Sequence, residues 1–296
     1  MLVDAGLPDG VVNLVTHTRE AAGDVVDELI AHPAVRRVNF TGSTKVGRLV
    51  AENCGRHLKR VLLELGGKAP MIVLADADLD EAVAAAKFGA FMHQGQICMS
   101  TERIVADRSV AGAVASQLGE KAAALKMGDP RDPSTEIGPM VNADAVERVA
   151  GLVEDARSRG AEVVVGGEAD GPCYKPTVLA GVTPEMRVYH EESFGPVVGI
   201  VPVDGPDEAV RVANDTEYGL AASVFGDDVP TALDLARQIE SGICHVNGST
   251  LHDEPQMPFG GVKASGFGRF GGKAAIDEFT ELRWITVQHG SRHYPI

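Results

Sequence analysis

The chain has 296 residues, with 27 basic and 42 acidic side chains and a net charge of −15. This length suffices for one large or two ordinary domains, and a hydrophobic fraction of 44% is typical of a globular protein with a sizeable core. So acidic a chain disfavours nucleic acid as a partner, because affinity for the phosphate backbone depends on Lys and Arg. No stretch approaches the roughly 18 apolar residues of a membrane span, so we expect no membrane partner.

The four cysteines, Cys54, Cys98, Cys173 and Cys244, are widely separated and lack the spacing of a zinc site. The N-terminal residues show neither the basic nor the apolar region of a signal peptide. These features predict that no metal is bound and that the protein is cytoplasmic, in a reducing compartment. Each cysteine is then either a buried apolar side chain or a reactive thiol.

Strand and helix patterns alternate along the first 66 residues. Strands are predicted at 11–15, 35–40 and 60–65, and helices at 21–31 and 43–53. A doubly wound nucleotide-binding domain normally contains two βαβ halves. Since only three strands precede Gly67, the sequence predicts that the first unit is a partial domain of this kind.

The alternation continues beyond Gly67. Further strands are predicted at 71–74, 103–106, 162–165, 197–203, 221–225 and 243–246, with helices at 79–93, 110–125, 144–159, 206–214 and 231–240. A last apolar strand is predicted at 282–288. Near-continuous apolar strands between helices indicate parallel pairing. The predicted fold class is therefore α/β, with the partial nucleotide-binding domain followed by a catalytic α/β domain that has a mostly parallel sheet.

The segment 38–47, VNFTGSTKVG, predicts a strand, a tight turn and the start of a helix. Gly42 would allow the backbone to approach a ligand, and Ser43 or Thr44 could cap the helix. The free N–H groups and the helix dipole would favour a pyrophosphate. On this segment alone, an ordinary capped turn is the favoured interpretation, because the motif is not GxGxxG.

Two further segments each contain one residue that could be catalytic. Glu64, at the end of an apolar strand in LELGG, could be partly desolvated and serve as a general base. Cys98, in the Gly-containing bend GQICMS, could be a nucleophile next to backbone N–H groups that stabilise an oxyanion. Taken singly, a solvated glutamate and an inert buried thiol are the more common cases.

Two loops complete the set of motifs. In 191–197, EESFGPV, a carboxylate could accept hydrogen bonds from ribose hydroxyls and Phe194 could pack against a nicotinamide ring, although a solvated acidic loop with a core Phe is the commoner case. The glycine-dense stretch 258–269, PFGGVKASGFGR, is too irregular for a core element and too apolar for a linker. It predicts the wall of a site.

The order and spacing of these motifs resemble the aldehyde dehydrogenase superfamily along essentially the whole chain. The resemblance implies that Cys98 is the nucleophile, that Glu64 activates the hydrolytic water, and that Gly42 and Ser43 receive the cofactor pyrophosphate. It also implies that Glu192 binds ribose and that Phe194 lies beside the nicotinamide. The implied cofactor is NAD, with NADP as the alternative.

The same resemblance implies a substrate class and a division of the chain. GQICMSTER and the stretch 244–269 look most like the members that act on salicylaldehyde, vanillin or benzaldehyde. The implied segments are 1–66 for the cofactor domain, 67–264 for the catalytic domain, 265–279 returning to the cofactor domain, and 280–296 as an oligomerisation strand of a homo-dimer or tetramer. Arg60, Arg269 and Glu281 match an ion-pair cluster in relatives.

Two departures from the family pattern accompany the resemblance. Phe270 stands where many members have a second glutamate, which leaves Glu64 as the evident base. Family members also carry an N-terminal segment with the first half of the cofactor domain and an oxyanion-hole asparagine, and the match begins in mid-domain. The alternatives are therefore a catalytically inactive fragment or subunit-interaction module, and, less favoured, a thiol esterase or CoA-acylating relative.

Overall fold

The computed structural model describes residues 1–296 and contains nine α-helices and twelve β-strands. The helices are α1 Ala22–Ala31, α2 Thr44–Arg56, α3 Leu79–Phe91, α4 Arg108–Ala123, α5 Ala143–Ser158, α6 Arg187–His190, α7 Pro206–Asn214, α8 Val229–Ala236 and α9 Gly272–Phe279. The strands are β1 Arg37–Thr41, β2 Arg60–Glu64, β3 Ala69–Val73, β4 Thr101–Asp107, β5 Glu162–Val165, β6 Ala169–Asp170, β7 Cys173–Tyr174, β8 Thr177–Ala180, β9 Val197–Val203, β10 Ala221–Phe225, β11 Ile243–Val246 and β12 Gly266–Phe267.

A small sheet with the strand order β1-β2-β12 begins the fold. β1 and β2 are parallel and in register, with Thr41 opposite Glu64 at their carboxyl ends. β12 returns more than 200 residues later and pairs antiparallel with β2. Helices α1 and α2 bury a small core against this sheet, formed by Ile30, Val50 and Cys54.

The second sheet has seven strands in the order β11-β10-β3-β4-β9-β8-β5. All neighbours are parallel except β5 and β8. Met71 of β3 faces the layer that contains α3 and α4, whereas Ile72 faces the layer with α5, α7 and α8. Successive strand residues point to opposite faces, so apolar residues at both positions bury the sheet on both sides.

The α/β class and the mostly parallel sheet agree with the sequence prediction, and most predicted elements match to within a few residues. Two predicted strands are wrong for this structure. Residues 11–15 and 282–288 form no strand. A strand requires a neighbour that accepts and donates its backbone hydrogen bonds, and neither segment pairs with any strand of the chain.

Several elements were not predicted from the sequence. β8 was not predicted, and its antiparallel pairing with β5 departs from the expected parallel order. The two-residue strands β6, β7 and β12 and helices α6 and α9 are further additions. Except for the eight-residue α9, these elements are two to four residues long and carry too little periodicity to be detected from the sequence.

No helix combines the length and the apolar character needed to cross a bilayer. The structure contains no group of three or more His, Cys, Asp or Glu side chains arranged to hold a metal ion. All four cysteines are free thiols.

Candidate active site

Glu64 is the last residue of β2 and lies at the carboxyl edge of the small sheet, where β1 and β2 end together. It is 4% exposed, and neither of its carboxyl oxygens has a hydrogen-bond partner within the protein. Burial raises the pKa of Glu64 to about 7, and the charge of Arg269 offsets part of this effect. An unpartnered buried carboxyl is costly, so this one is placed for a group that arrives from outside the fold.

Cys98 lies in the tight turn that precedes β4. The turn is closed by a hydrogen bond of 2.9 Å from the Ser100 N–H to the Ile97 carbonyl oxygen. Burial and then the charges of Glu64 and Glu192 raise the pKa of the Cys98 thiol to about 11, while the backbone N–H groups of Cys98 and Met99 act in the opposite direction. The thiol therefore lies within electrostatic range of both carboxylates.

The Gly66-Gly67 pair after β2 allows these groups to approach each other. A Cβ on Gly67 would collide with the carbonyl oxygen of Cys98, and a Cβ on Gly66 would lie 2.6 Å from Oε2 of Glu192. The Gly67 N–H donates a hydrogen bond of 2.9 Å to Oε1 of Glu192. Glycine is required here by the close packing of three segments.

Glu192 and Phe194 lie on the loop between α6 and β9. Burial raises the pKa of Glu192 to about 7, with a contribution from the nearby Glu102 and a partial offset from the Gly67 N–H. The Arg148 guanidinium donates to the Glu192 carbonyl oxygen at 2.9 Å. Phe194 is half-buried with a φ of +43°, a left-handed conformation that non-glycine residues adopt only where surrounding contacts enforce it.

Gly42 and Ser43 form the turn between β1 and α2. The Gly42 N–H donates to the Glu64 carbonyl oxygen at 3.0 Å, which ties this turn to the end of β2. The Ser43 side chain caps the 13-residue helix α2 by accepting from the Val46 N–H. Both residues are exposed, so the positive end of this helix faces solvent and can receive an anion.

A cleft of about 860 Å³ lies beside this turn, between α1 and α2. Apolar side chains such as Val26, Val46 and Leu49 line it together with charged ones that include Asp24 and Glu52. The apolar part of this cleft gives a planar ring a surface to pack against. The sequence analysis did not identify this cleft.

Arg269 differs from the expected ion-pair cluster. Arg60 pairs with Glu281 at 3.2 Å, as the resemblance implied. Arg269 instead donates to the carbonyl oxygens of Gly261 and Gly268 at 2.8 and 2.7 Å. Because these glycines lie in the glycine-dense loop, Arg269 orders the wall that covers Glu64, where a Cβ on Gly260 would lie 2.9 Å from the carboxylate.

Three residues near the site were missed by the sequence analysis. Lys68 and Glu102 form a buried ion pair, and Tyr218 lies near Glu192, whose charge adds to burial in raising the pKa of the phenol to about 12. The detectable signal was a charged residue next to or within a buried strand, with Lys68 immediately before β3 and Glu102 in β4. For Tyr218 the sequence offers no such signal.

The model of the aldehyde dehydrogenase family matches residues 1–285 of the chain. The chain therefore belongs to the aldehyde dehydrogenase family.

Individual members of this family are similar to the chain over its whole length. Vanillin dehydrogenase from Pseudomonas fluorescens is 56% identical over all 296 residues of this chain, and salicylaldehyde dehydrogenase from Pseudomonas sp. strain C18 is 48% identical over 99% of it. The crystal structure of a salicylaldehyde dehydrogenase from Pseudomonas putida G7, complexed with salicylaldehyde, superposes over the whole chain with a TM-score of 0.97 at 48% identity. In each case the chain spans 61% of the relative's length.

Proposed function

We propose that the protein oxidises an aromatic aldehyde to the carboxylic acid with NAD as cofactor, NADP being the alternative. The observation that carries the proposal is the shared site of Cys98 and Glu64, in which the charge of the carboxylate acts on the thiol. A thiol and a carboxyl in one buried site can divide the oxidation into two easier steps.

In the first step, Sγ of Cys98 forms a bond to the aldehyde carbon as the S–H bond breaks and the thiol proton passes to solvent water. The carbonyl π electrons move to the oxygen, which the backbone N–H groups of Cys98 and Met99 can stabilise. The nicotinamide cofactor supplies the hydride acceptor when bound. With that acceptor present, the thiohemiacetal on Cys98 would lose its hydride and Cys98 would hold the acid as a thioester.

In the second step, Glu64 removes a proton from water as the water oxygen attacks the thioester carbon. The C–S bond breaks, the carboxylic acid leaves, and the proton held by Glu64 returns to the sulfur of Cys98. A pKa of about 7 suits Glu64 to this role, because a general base is most effective when its pKa is near the working pH. The absence of an intramolecular partner leaves both carboxyl oxygens free to hold the water.

The residues present fit a dinucleotide. Gly42 and Ser43 would hold the pyrophosphate at the start of α2, and the cleft between α1 and α2 would hold the adenine. Oε2 of Glu192 is free of the Gly67 hydrogen bond and would accept from a ribose hydroxyl, with Phe194 beside the nicotinamide. The orphaned carboxyl oxygens of Glu64 support an external ligand at the same site.

The proposed substrate class follows from the relatives, whose names specify vanillin, salicylaldehyde and benzaldehyde. We assign residues 1–66 and 265–279 to the cofactor unit, 67–264 to the catalytic unit and 280–296 to contact with a second copy in a homo-oligomer. The four free thiols suit the reducing cytoplasm.

The test measures NADH formation with vanillin, salicylaldehyde and benzaldehyde. It uses the chain alone and the chain extended with the N-terminal residues of vanillin dehydrogenase from P. fluorescens. Cys98→Ala should abolish NADH formation, whereas the control Cys173→Ala should retain it. With Glu64→Gln, mass spectrometry should show an acyl group accumulating on Cys98. Activity that survives Cys98→Ala would overturn the proposal, and ester hydrolysis without NADH formation would favour a thiol esterase.

A further inference from the structure

Lys68 and Glu102 form an ion pair inside the protein, beside the proposed active site. Their side chains are 0% and 4% exposed, and Nζ of Lys68 donates to Oε2 of Glu102 at 2.5 Å. Lys68 directly follows Gly67, and Glu102 lies four residues after Cys98 at the start of β4. The pair therefore connects the segment that carries Glu64 to the segment that carries the thiol.

Glu102 also accepts hydrogen bonds from the loop that carries Glu192 and Phe194. The Ser193 N–H donates to both carboxyl oxygens, at 3.0 and 2.8 Å, and the Phe194 N–H donates to Oε1 at 3.1 Å. Phe194 has the left-handed φ noted above. One carboxylate thus accepts the two backbone donors at the point where the loop makes its strained turn.

The energetics favour a specific role for this acceptor. Burying an ion pair costs desolvation energy, and an apolar pair of similar volume is often as stable. By contrast, a buried N–H that loses its acceptor pays the full desolvation penalty. The feature that an apolar replacement could not supply is therefore the oxygen atoms of Glu102 that receive the Ser193 and Phe194 amides.

We propose that Glu102 is a positioning residue, which holds the Glu192–Phe194 loop in the conformation that binds the nicotinamide riboside half of the cofactor. Lys68 orients this carboxylate through the ion pair. The cofactor part of this inference rests on the proposed function, whereas the effect of Glu102 on the loop does not.

Two double variants separate the acceptor from the charge. Lys68→Met/Glu102→Gln removes both charges and retains a carbonyl oxygen as an acceptor. Lys68→Met/Glu102→Leu removes both charges and the acceptor. We expect the Ser193 and Phe194 amides to exchange hydrogen about tenfold faster in the Leu variant than in the wild type, and at nearly the wild-type rate in the Gln variant. Glu168→Gln, which breaks the exposed pair with Lys175, is the control.

The second measurement is nucleotide affinity by calorimetry on the same proteins. The Leu variant should bind NAD about tenfold more weakly while AMP affinity stays unchanged, because AMP would occupy only the α1–α2 cleft and the adjacent start of α2, away from this loop. Equal amide exchange in the Leu and Gln variants would overturn the positioning role. A parallel loss of AMP and NAD affinity would instead indicate a general structural effect. If the wild type binds neither nucleotide, the proposed function and the cofactor part of this inference both fail, while amide exchange still decides the loop.

Discussion

The charge of Glu64 raises the pKa of the Cys98 thiol, although Glu64 lies in one sheet and Cys98 precedes a strand of the other. Glu64 ends β2 of the three-stranded sheet, and Cys98 precedes β4 of the seven-stranded sheet. The glycines that follow Glu64 bring the two segments together. In this arrangement the thiol is protonated at neutral pH, and its reactivity depends on the charge state of its neighbours.

Glu64→Gln should lower the pKa of Cys98 from about 11, because it removes a negative charge that disfavours the thiolate. Alkylation of Cys98 by iodoacetamide at pH 8 should then be several-fold faster than in the wild type. Mass spectrometry of the modified peptide gives the rate, and Glu147→Gln, at an exposed site on α5, is the control. A slower reaction in Glu64→Gln would show instead that Glu64 accepts the thiol proton.

The raised pKa of Glu64 makes stability depend on pH. In the unfolded chain the carboxyl ionises near 4.5, whereas in the fold it stays protonated up to about 7. The folded state therefore binds the extra proton between these values, and the free energy of unfolding falls as pH rises through this window. Between pH 4.5 and 8, the free energy of unfolding of the wild type should fall by up to about 3 kcal/mol relative to that of Glu64→Gln. Urea unfolding of both proteins at several pH values measures this change. A difference in free energy of unfolding that stays constant with pH would contradict the raised pKa of Glu64.

Gly67→Ala should destabilise the protein and disturb the thiol turn, since the added Cβ collides with the Cys98 carbonyl oxygen. Overpacking of this kind costs about 1–3 kcal/mol. Gly55→Ala in α2 is the matched control, because a Cβ there meets no atom within 4 Å and the helix gains propensity. Thermal unfolding and the rate of Cys98 alkylation are the measurements. Equal behaviour of the two variants would argue against the close approach.

Arg103→Met should lower the free energy of unfolding by at least about 3 kcal/mol, because it leaves buried carbonyl oxygens without donors. The fully buried Arg103 guanidinium donates to the carbonyl oxygens of Val212, Ala213 and Asp215 at the end of α7, each at 3.1 Å. Its control is Arg108→Met, which breaks an exposed pair with Asp204 and should cost no more than about 1 kcal/mol. Chemical denaturation compares the two variants. Similar losses of unfolding free energy would refute the stabilising role of Arg103 at the end of α7.

The segment 280–296 should mediate self-association. Its exposed apolar side chains include Leu282, Trp284, Ile285 and Val287, with Trp284 at 91% exposure. Trp284→Glu should reduce the mass measured by light scattering towards that of a monomer, because a charge in an apolar interface is costly. The control is His289→Glu in the same segment. An unchanged mass would exclude Trp284 from the interface.

The sequence predicted the alternating elements because their periodicity is local. Met71 and Ile72 lie on opposite faces of a buried strand, and such runs can be recognised without knowledge of what they pack against. The strand predicted at 282–288 does not form, because its pattern is local whereas strand pairing is not. An apolar, β-branched segment specifies a preference for extension, whereas a strand also requires a hydrogen-bonded neighbour.

The site was predictable only as separate motifs. Glu64, Cys98 and Glu192 each stand in a distinctive local sequence, so they could be singled out, and their common location came from a family resemblance. The contact between Glu102 and the Ser193 and Phe194 amides joins residues 91 and 92 positions apart. No local pattern encodes it, because it arises from the order of strands in the larger sheet.

The return of β12 to the small sheet also limits how that sheet can grow. β12 pairs with the end of β2 and is two residues long, so its outer side offers little backbone for another strand. At the other edge of the sheet, β1 presents a free side of five residues, from Arg37 to Thr41. Any polypeptide that extends this sheet by a full-length strand must therefore add it beside β1. The sheet can grow at this edge and not at the edge formed by β12.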